Sequence, residues 1–275
     1  MTKNSIKYII IIYFLAFLGL IIGSFYDLEI NKSLYSNGSF FPTFFKITGE
    51  MPMIILIMIS SLSLYQSQKY NVFTKIILFL LFIIFPTGSA LSILSYFEMK
   101  NIFIFILIVV FYLTIVLFLN TKIPSLYKQK LNKYFLFIII SIISTFILFN
   151  IMKEIWGRMR FIAMFENKDF SPFTNWWIIN GKAISDSFKS FPSGHTASAA
   201  TTLVLLFLPN ILKYKNLKYE KYYYIIPILW TFLVAISRIY DGAHFLTDVS
   251  MGIILAMTVI IVVYKGLYKK YNVLR

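Results

Sequence analysis

The sequence predicts an all-α fold: a polytopic transmembrane helix bundle of about eight spans. Three observations predict it. Hydrophobic residues make up 59% of the 275 positions, and the mean hydropathy is +0.78. Charged residues make up only 13%, against roughly 25% in soluble domains. The apolar residues also fall in runs close to the ~20 that a helix needs to cross the hydrocarbon.

The first run, 8–23, follows Lys3 and Lys7 and has the flanks of a signal peptide. No small-residue cleavage site follows it, so it reads as a retained span. Residues 24–50 read as one longer loop carrying Asp27, Glu29, Lys32, Lys46 and Glu50. Its Phe40, Phe41, Phe44 and Phe45 mark a piece lying in the membrane interface. Further spans are expected at 51–66, 75–97, 101–120, 134–153, 194–212, 222–240 and 245–267. Pro86 and Gly88 predict a kink in the third span. Residues 157–192 form the longest segment that does not span. No repeat or low-complexity linker divides the chain, so 1–275 reads as a single membrane domain. Its N-terminal spans occupy 1–133, and the chemistry-bearing helices occupy 134–267 around the loop 157–192.

The net charge of +15 raises the question of nucleic acid, which the distribution answers. The lysines sit in short breaks between apolar runs, where they orient a membrane protein. Cysteine is absent, which excludes disulfides and thiolate ligands. With eight spans, five basic groups fall on one side. They are Lys3 and Lys7; Lys69 and Lys75; Lys122, Lys128, Lys130 and Lys133; Lys213, Lys215, Lys218 and Lys221; and Lys265, Lys269, Lys270 and Arg275. That side is cytoplasmic by the positive-inside rule. Both termini are then cytoplasmic, and the expected location is the cell membrane.

Three clusters fall on the opposite, outer side, and they hold both histidines of the chain. His244 and Asp248 are four apart at the start of the last span. On a helix that spacing puts them side by side. A carboxylate there can hold one ring nitrogen and leave the other free to attack. The bland alternative is a helix cap beside a satisfied interface histidine. Arg238, six residues earlier, adds a phosphate clamp. Ser193, Gly194 and His195 open the 194–212 span just after Pro192. A helix N-terminus binds phosphate through free N–H groups, and His195 is placed to protonate a leaving alkoxide. Here the alternative is a Pro-Ser helix start with an incidental histidine. Lys153 and Arg160 are seven apart, about two helical turns, so they project the same way. Snorkelling to lipid headgroups is their alternative. Arg158 reads as a headgroup or loop contact, and Trp156, Trp176 and Trp177 as an interfacial aromatic belt. The nearby acids are too few and scattered for a two-metal cage.

Taken together these residues resemble the type-2 phosphatidic acid phosphatase superfamily. That family carries Lys, six residues, Arg-Pro; then Pro-Ser-Gly-His; then Ser-Arg, five residues, His, three residues, Asp. The chain has Lys153…Arg160-Phe161, Pro192-Ser193-Gly194-His195, and Ser237-Arg238…His244…Asp248. Phe161 stands where the family has proline. The resemblance covers about residues 150–250. It implies a six-helix phosphatase-type core and a phosphohistidine on His244, with Asp248 orienting the ring. It implies that Lys153, Arg160, Arg238, Ser193 and the Gly194 amide hold the phosphoryl oxygens. His195 would serve as acid and then as base. No metal or other cofactor is implied. The expected partners are a membrane lipid phosphate substrate and the bilayer, with no nucleic acid. The expected function is hydrolysis of a lipid phosphate monoester or polyprenyl diphosphate. Alternatives are a phosphotransferase with a lipid or sugar acceptor, and a non-catalytic lipid-binding protein or transporter. Transporters keep ionisable residues at mid-membrane, whereas these lie at span ends.

Overall fold

A computed structural model describes residues 2–36, 38–212 and 219–269. Lys213, Lys215, Lys218, Lys270 and Arg275, used in the charge argument, lie outside the described residues. Within those residues every regular element is helical: α1 (Lys3–Leu34), α2 (Phe40–Thr48), α3 (Met51–Tyr65), α4 (Val72–Tyr96), α5 (Ile102–Thr121), α6 (Ser125–Trp156), α7 (Phe161–Glu166), α8 (Gly194–Ala200), α9 (Leu208–Leu212), α10 (Glu220–Tyr240) and α11 (Leu246–Lys269). Seven helical stretches among the described residues are long and apolar enough to cross a membrane. The chain is therefore a multi-pass, all-α membrane protein.

The expected span not among these seven, 194–212, is helical but not one helix. A 3₁₀ stretch, Thr201–Phe207, joins α8 to α9. The Thr201 and Thr202 hydroxyls donate to the Ser198 and Ala199 carbonyls at 2.7 and 2.6 Å. Such back-bonding competes with the α-helical ladder. Because 3₁₀ turns rise faster than α turns, the segment still extends about 30 Å, the thickness of the hydrocarbon.

The chain divides into two compact units, Met1–Gly49 with Ile143–Val262 and Glu50–Ile142 with Val263–Arg275. In the second unit α3 packs on α4 and α5. The buried Tyr112 hydroxyl and Ser89 Oγ pair at 2.9 Å. Phe73, Ile102 and Phe103 point outward, each about two-thirds exposed or more, as lipid-facing side chains do. Helix α4 runs unbroken through Pro86.

In the first unit the first helix is longer than expected. It passes the predicted end at 23 and takes in Asp27 and Asn31. Its buried residues include Ile9, Ile12, Ala16, Leu20, Gly23, Asp27 and Asn31. These steps of three and four residues keep one face against the protein. Asp27 continues the helix because its carboxylate meets Arg158 and Thr247 rather than lipid. Asn31 Nδ2 donates to the His244 carbonyl at 3.1 Å. Helix α2 carries the phenylalanines expected at the interface. Phe45 packs with Ala199, Val234 and Trp230, while Phe40 stays 82% exposed.

Phe161 explains itself once its position is known. It is the first residue of α7, where proline is favoured because its missing N–H costs nothing and its φ is preset. Phenylalanine gives up that preorganisation and anchors by burial instead. Its ring is 0% exposed and packs against Met164, Phe245 and Tyr35. Phe161→Ala is expected to cost about 3–5 kcal/mol, read as a lowered unfolding midpoint in detergent. Phe161→Pro keeps the α7 start and loses the packing. An alanine variant as stable as the parent would remove Phe161 from the core.

Candidate active site

The site lies wholly in the first unit and is built from the ends of α6, α8, α10 and α11 with the loop 157–192. Helix α6 ends at Trp156 because Gly157 takes φ +55, a left-handed conformation that suits glycine. A Cβ there would come within 2.5 Å of the Gly181 carbonyl oxygen. The expectation that Lys153 and Arg160 share one helix face is therefore corrected. Lys153 is on α6, and Arg160 follows the break in extended backbone, at φ -75 and ψ 147. Both charges still act on His244 and His195.

The loop returns along the stretch it left. Asn180 N donates to the Trp156 carbonyl, Ala183 N to Glu154, Arg160 N to the Ser187 carbonyl and Ser190 N to Arg158. Lys189 pairs with Glu154. Of Trp156, Trp176 and Trp177, the first two serve this loop. Trp156 and Trp176 pack on Phe191, with ring centroids 4.9 and 6.0 Å apart. Trp176 Nε1 reaches Ser24 Oγ at 2.9 Å. Trp177 is half exposed, as an interfacial residue is.

Gly194 opens α8, and Ser193 caps it. The Ser193 hydroxyl accepts from Thr196 N and pairs with Thr196 Oγ1 at 3.0 Å. A Cβ on Gly194 would lie 3.2 Å from Lys153 Nζ, so the glycine lets the ammonium approach the start of α8. His195 follows, partly exposed. It interacts with the charges of Arg238, Lys153, His244 and Arg160. The two histidines thus belong to one constellation.

His244 sits in the turn between α10 and α11, 2% exposed. Its Nδ1 lies 2.6 Å from the Ser190 carbonyl oxygen. A carbonyl can only accept, so Nδ1 carries the proton and Nε2 keeps its lone pair. Asp248 Oδ2 stands 3.8 Å from Nδ1, an electrostatic distance rather than a hydrogen bond. Asp248 reaches the ring through Ser190, whose Oγ donates to it at 2.5 Å. Burial, above all, pushes the His244 imidazole down to about 4, and Lys153 and Arg160 add to that against the pull of Asp248. The ring is neutral at physiological pH.

Arg238 is buried. It donates to the Pro42 carbonyl on α2 at 2.7 Å and to Asp241 at 3.2 Å. Arg160 pairs with the exposed Asp186 at 2.8 Å. The sequence reading missed Lys46, which lies 3.9 Å from Asp241 and adds a further cation beside Arg238 and Arg160.

Arg158 is the largest correction. Read as a headgroup or loop contact, it does reach the loop at Thr174 but is 1% exposed. Its Nη1 donates to Asp248 Oδ1 at 2.5 Å and to Thr247 Oγ1 at 2.8 Å. Its Nη2 donates to Asp27 at 2.9 Å and its Nε to the Thr174 carbonyl at 2.9 Å. The guanidinium stacks 4.3 Å from the Phe245 ring centre. Asp27 and Ser190 were also missed. The signal for Asp27 was its place on the apolar stripe of α1. Ser190 acts through its carbonyl, which no sequence pattern marks.

Comparison with known proteins places the chain among phosphatases of lipid phosphates by similarity. Phosphatidylglycerophosphatase B of Bacillus subtilis (strain 168) is 39% identical over 89 residues, 32% of this chain and 43% of that protein. A probable lipid phosphate phosphatase 4 of Arabidopsis thaliana is 32% identical over 133 residues, 43% of this chain and 42% of the relative. A probable diacylglycerol pyrophosphate phosphatase 1 of Schizosaccharomyces pombe is 30% identical over 95 residues, 32% of this chain and 33% of the relative. The chain thus spans less than half the length of each of these curated relatives. No solved structure matches. The family model for the PAP2 superfamily matches residues 133–272, a stretch that contains both histidines, Asp248 and every expected phosphate-binding residue, and the chain belongs to that superfamily.

Proposed function

We propose that the protein is a metal-independent membrane phosphatase that hydrolyses lipid phosphates through a phosphohistidine. One observation carries this reading. A neutral imidazole, its Nδ1 spent on a carbonyl, feels the charges of Lys153 and Arg160, which act together with Arg238 on the second histidine. His244 Nε2 attacks phosphorus in line. Lys153, Arg160, Arg238, Ser193 and the Gly194 amide hold the non-bridging oxygens, and their grip tightens as charge builds. His195 protonates the departing oxygen and then takes a proton from the water that releases phosphate. Asp248 keeps the His244 ring in place through Ser190.

The relatives' names supply the substrate class: a phosphatidylglycerophosphate, a diacylglycerol pyrophosphate and a lipid phosphate. All present a phosphoryl group at a bilayer surface. The lysine asymmetry of the loops supports an outward-facing site with both termini cytoplasmic.

The test is a phosphate-release panel on purified protein in detergent, using lipid mono- and diphosphates. Release without an added acceptor, unchanged by excess chelator, is expected. No release from any lipid, or a loss that magnesium or zinc restores, would overturn the reading.

A further inference from the structure

Asp27 comes from the first helix, outside the residues that the family model matches. Its carboxylate is fully engaged. Oδ1 accepts from Thr247 N at 3.0 Å, and Oδ2 accepts from Arg158 at 2.9 Å and from the Thr247 hydroxyl. Thr247 belongs to the first turn of α11, whose N–H groups have no partner in their own helix. Asp248, in the same turn, accepts from Phe245 N at 2.8 Å, the reach-back of a capping box. One capping carboxylate is thus local and the other comes from α1.

The charges of this buried cluster do not cancel at rest. Asp27 and Asp248 carry two negative charges against the one positive charge of Arg158. Buried surplus charge is costly unless something offsets it, and Lys153 and Arg160 act on His244 from beyond the cluster. The surplus has a use if His244 reacts as proposed above, and the inference rests on that reading. When Nε2 forms its bond to phosphorus, the bond to the leaving oxygen breaks. That oxygen takes its proton from His195. The Nδ1 proton cannot pass to the Ser190 carbonyl, so the phosphorylated ring becomes a cation. The cluster of Asp27, Arg158, Asp248 and His244 is then neutral.

We propose that Asp27 is a positioning residue whose charge, passed through Arg158 and Asp248, offsets the positive charge that develops on His244. It ties α1 into the chemistry of a site whose proposed reacting residues all lie between 153 and 248. Asp27→Asn leaves Arg158 and Asp248 as a balanced pair, so the variant should insert and fold.

The experiment measures single-turnover phosphate release with enzyme in saturating excess over a lipid phosphate monoester in detergent. A smaller folded fraction leaves that rate constant unchanged, and a poorly stabilised transition state lowers it. Asp27→Asn is expected to slow it roughly 10- to 100-fold, the scale on which the outer partners of a reacting group act. Asp27→Glu, which restores the charge, should recover most of the rate. Glu29→Gln removes the same charge from an exposed site two residues away and should match the parent. An Asp27→Asn rate within twofold of the parent overturns the proposal while leaving the phosphatase reading intact. So does failure of that variant to fold, read as loss of protease resistance in membranes. Absence of any release by the parent protein removes both.

Discussion

Replacing His244 with alanine is expected to lower turnover by at least about 10⁴-fold, the scale of losing a covalent nucleophile, while membrane insertion and the unfolding midpoint stay near those of the parent. The magnitude follows from the lack of a substitute. Ser190 Oγ is buried and donates to Asp248. Ser193 Oγ caps α8. His195, in the proposed scheme, serves as acid and base and is not free to attack as well. The same ring sets the pH dependence. Burial holds the His244 imidazole down at about 4, below the ordinary value near 6.5. Protonation disables the nucleophile, so the limb set by His244 should lie near 4, tenfold per unit below it, and not near 6.5. Initial rates of phosphate release across pH read both effects. Turnover by His244→Ala close to that of the parent, or an acid limb at 6.5, would remove His244 from the nucleophile's role.

The difference between what the sequence disclosed and what it hid has a physical cause. Lys153, Ser193, Gly194, His195, Arg238, His244 and Asp248 could be named as candidates because their types and spacings repeat the superfamily's pattern. The helices were legible because lipid demands about 20 apolar residues. What escaped acts at one remove. Ser190 holds His244 through a backbone carbonyl, which any residue supplies. Arg158 looked like a surface cation because a lone arginine does not announce its countercharges. Those lie 131 and 90 residues away, on Asp27 and Asp248. Asp27 was assigned to a loop because a carboxylate in an apolar run normally ends a span. Here a buried guanidinium lets the helix continue.

That guanidinium carries the second large expectation. Arg158→Ala should destabilise the protein by about 3–5 kcal/mol, because breaking a buried pair strands the remaining charge. Two carboxylates are stranded here, Asp27 at 2% and Asp248 at 0% exposed. Lysine is no remedy. One ammonium cannot serve four acceptors arrayed in a plane or stack on Phe245, so Arg158→Lys should recover less than half of the loss. Removing Asp27 as well tests the cause. If repulsion between the two carboxylates drives the loss, Asp27→Asn combined with Arg158→Met is milder than Arg158→Met alone, a coupling of neighbours that a thermodynamic cycle isolates. Unfolding midpoints in detergent for the four proteins of that cycle give the answer. Additive losses would mean that Arg158 acts by packing on Phe245 and Phe173 and not as a countercharge, and Asp27 would then have no electrical path to the site.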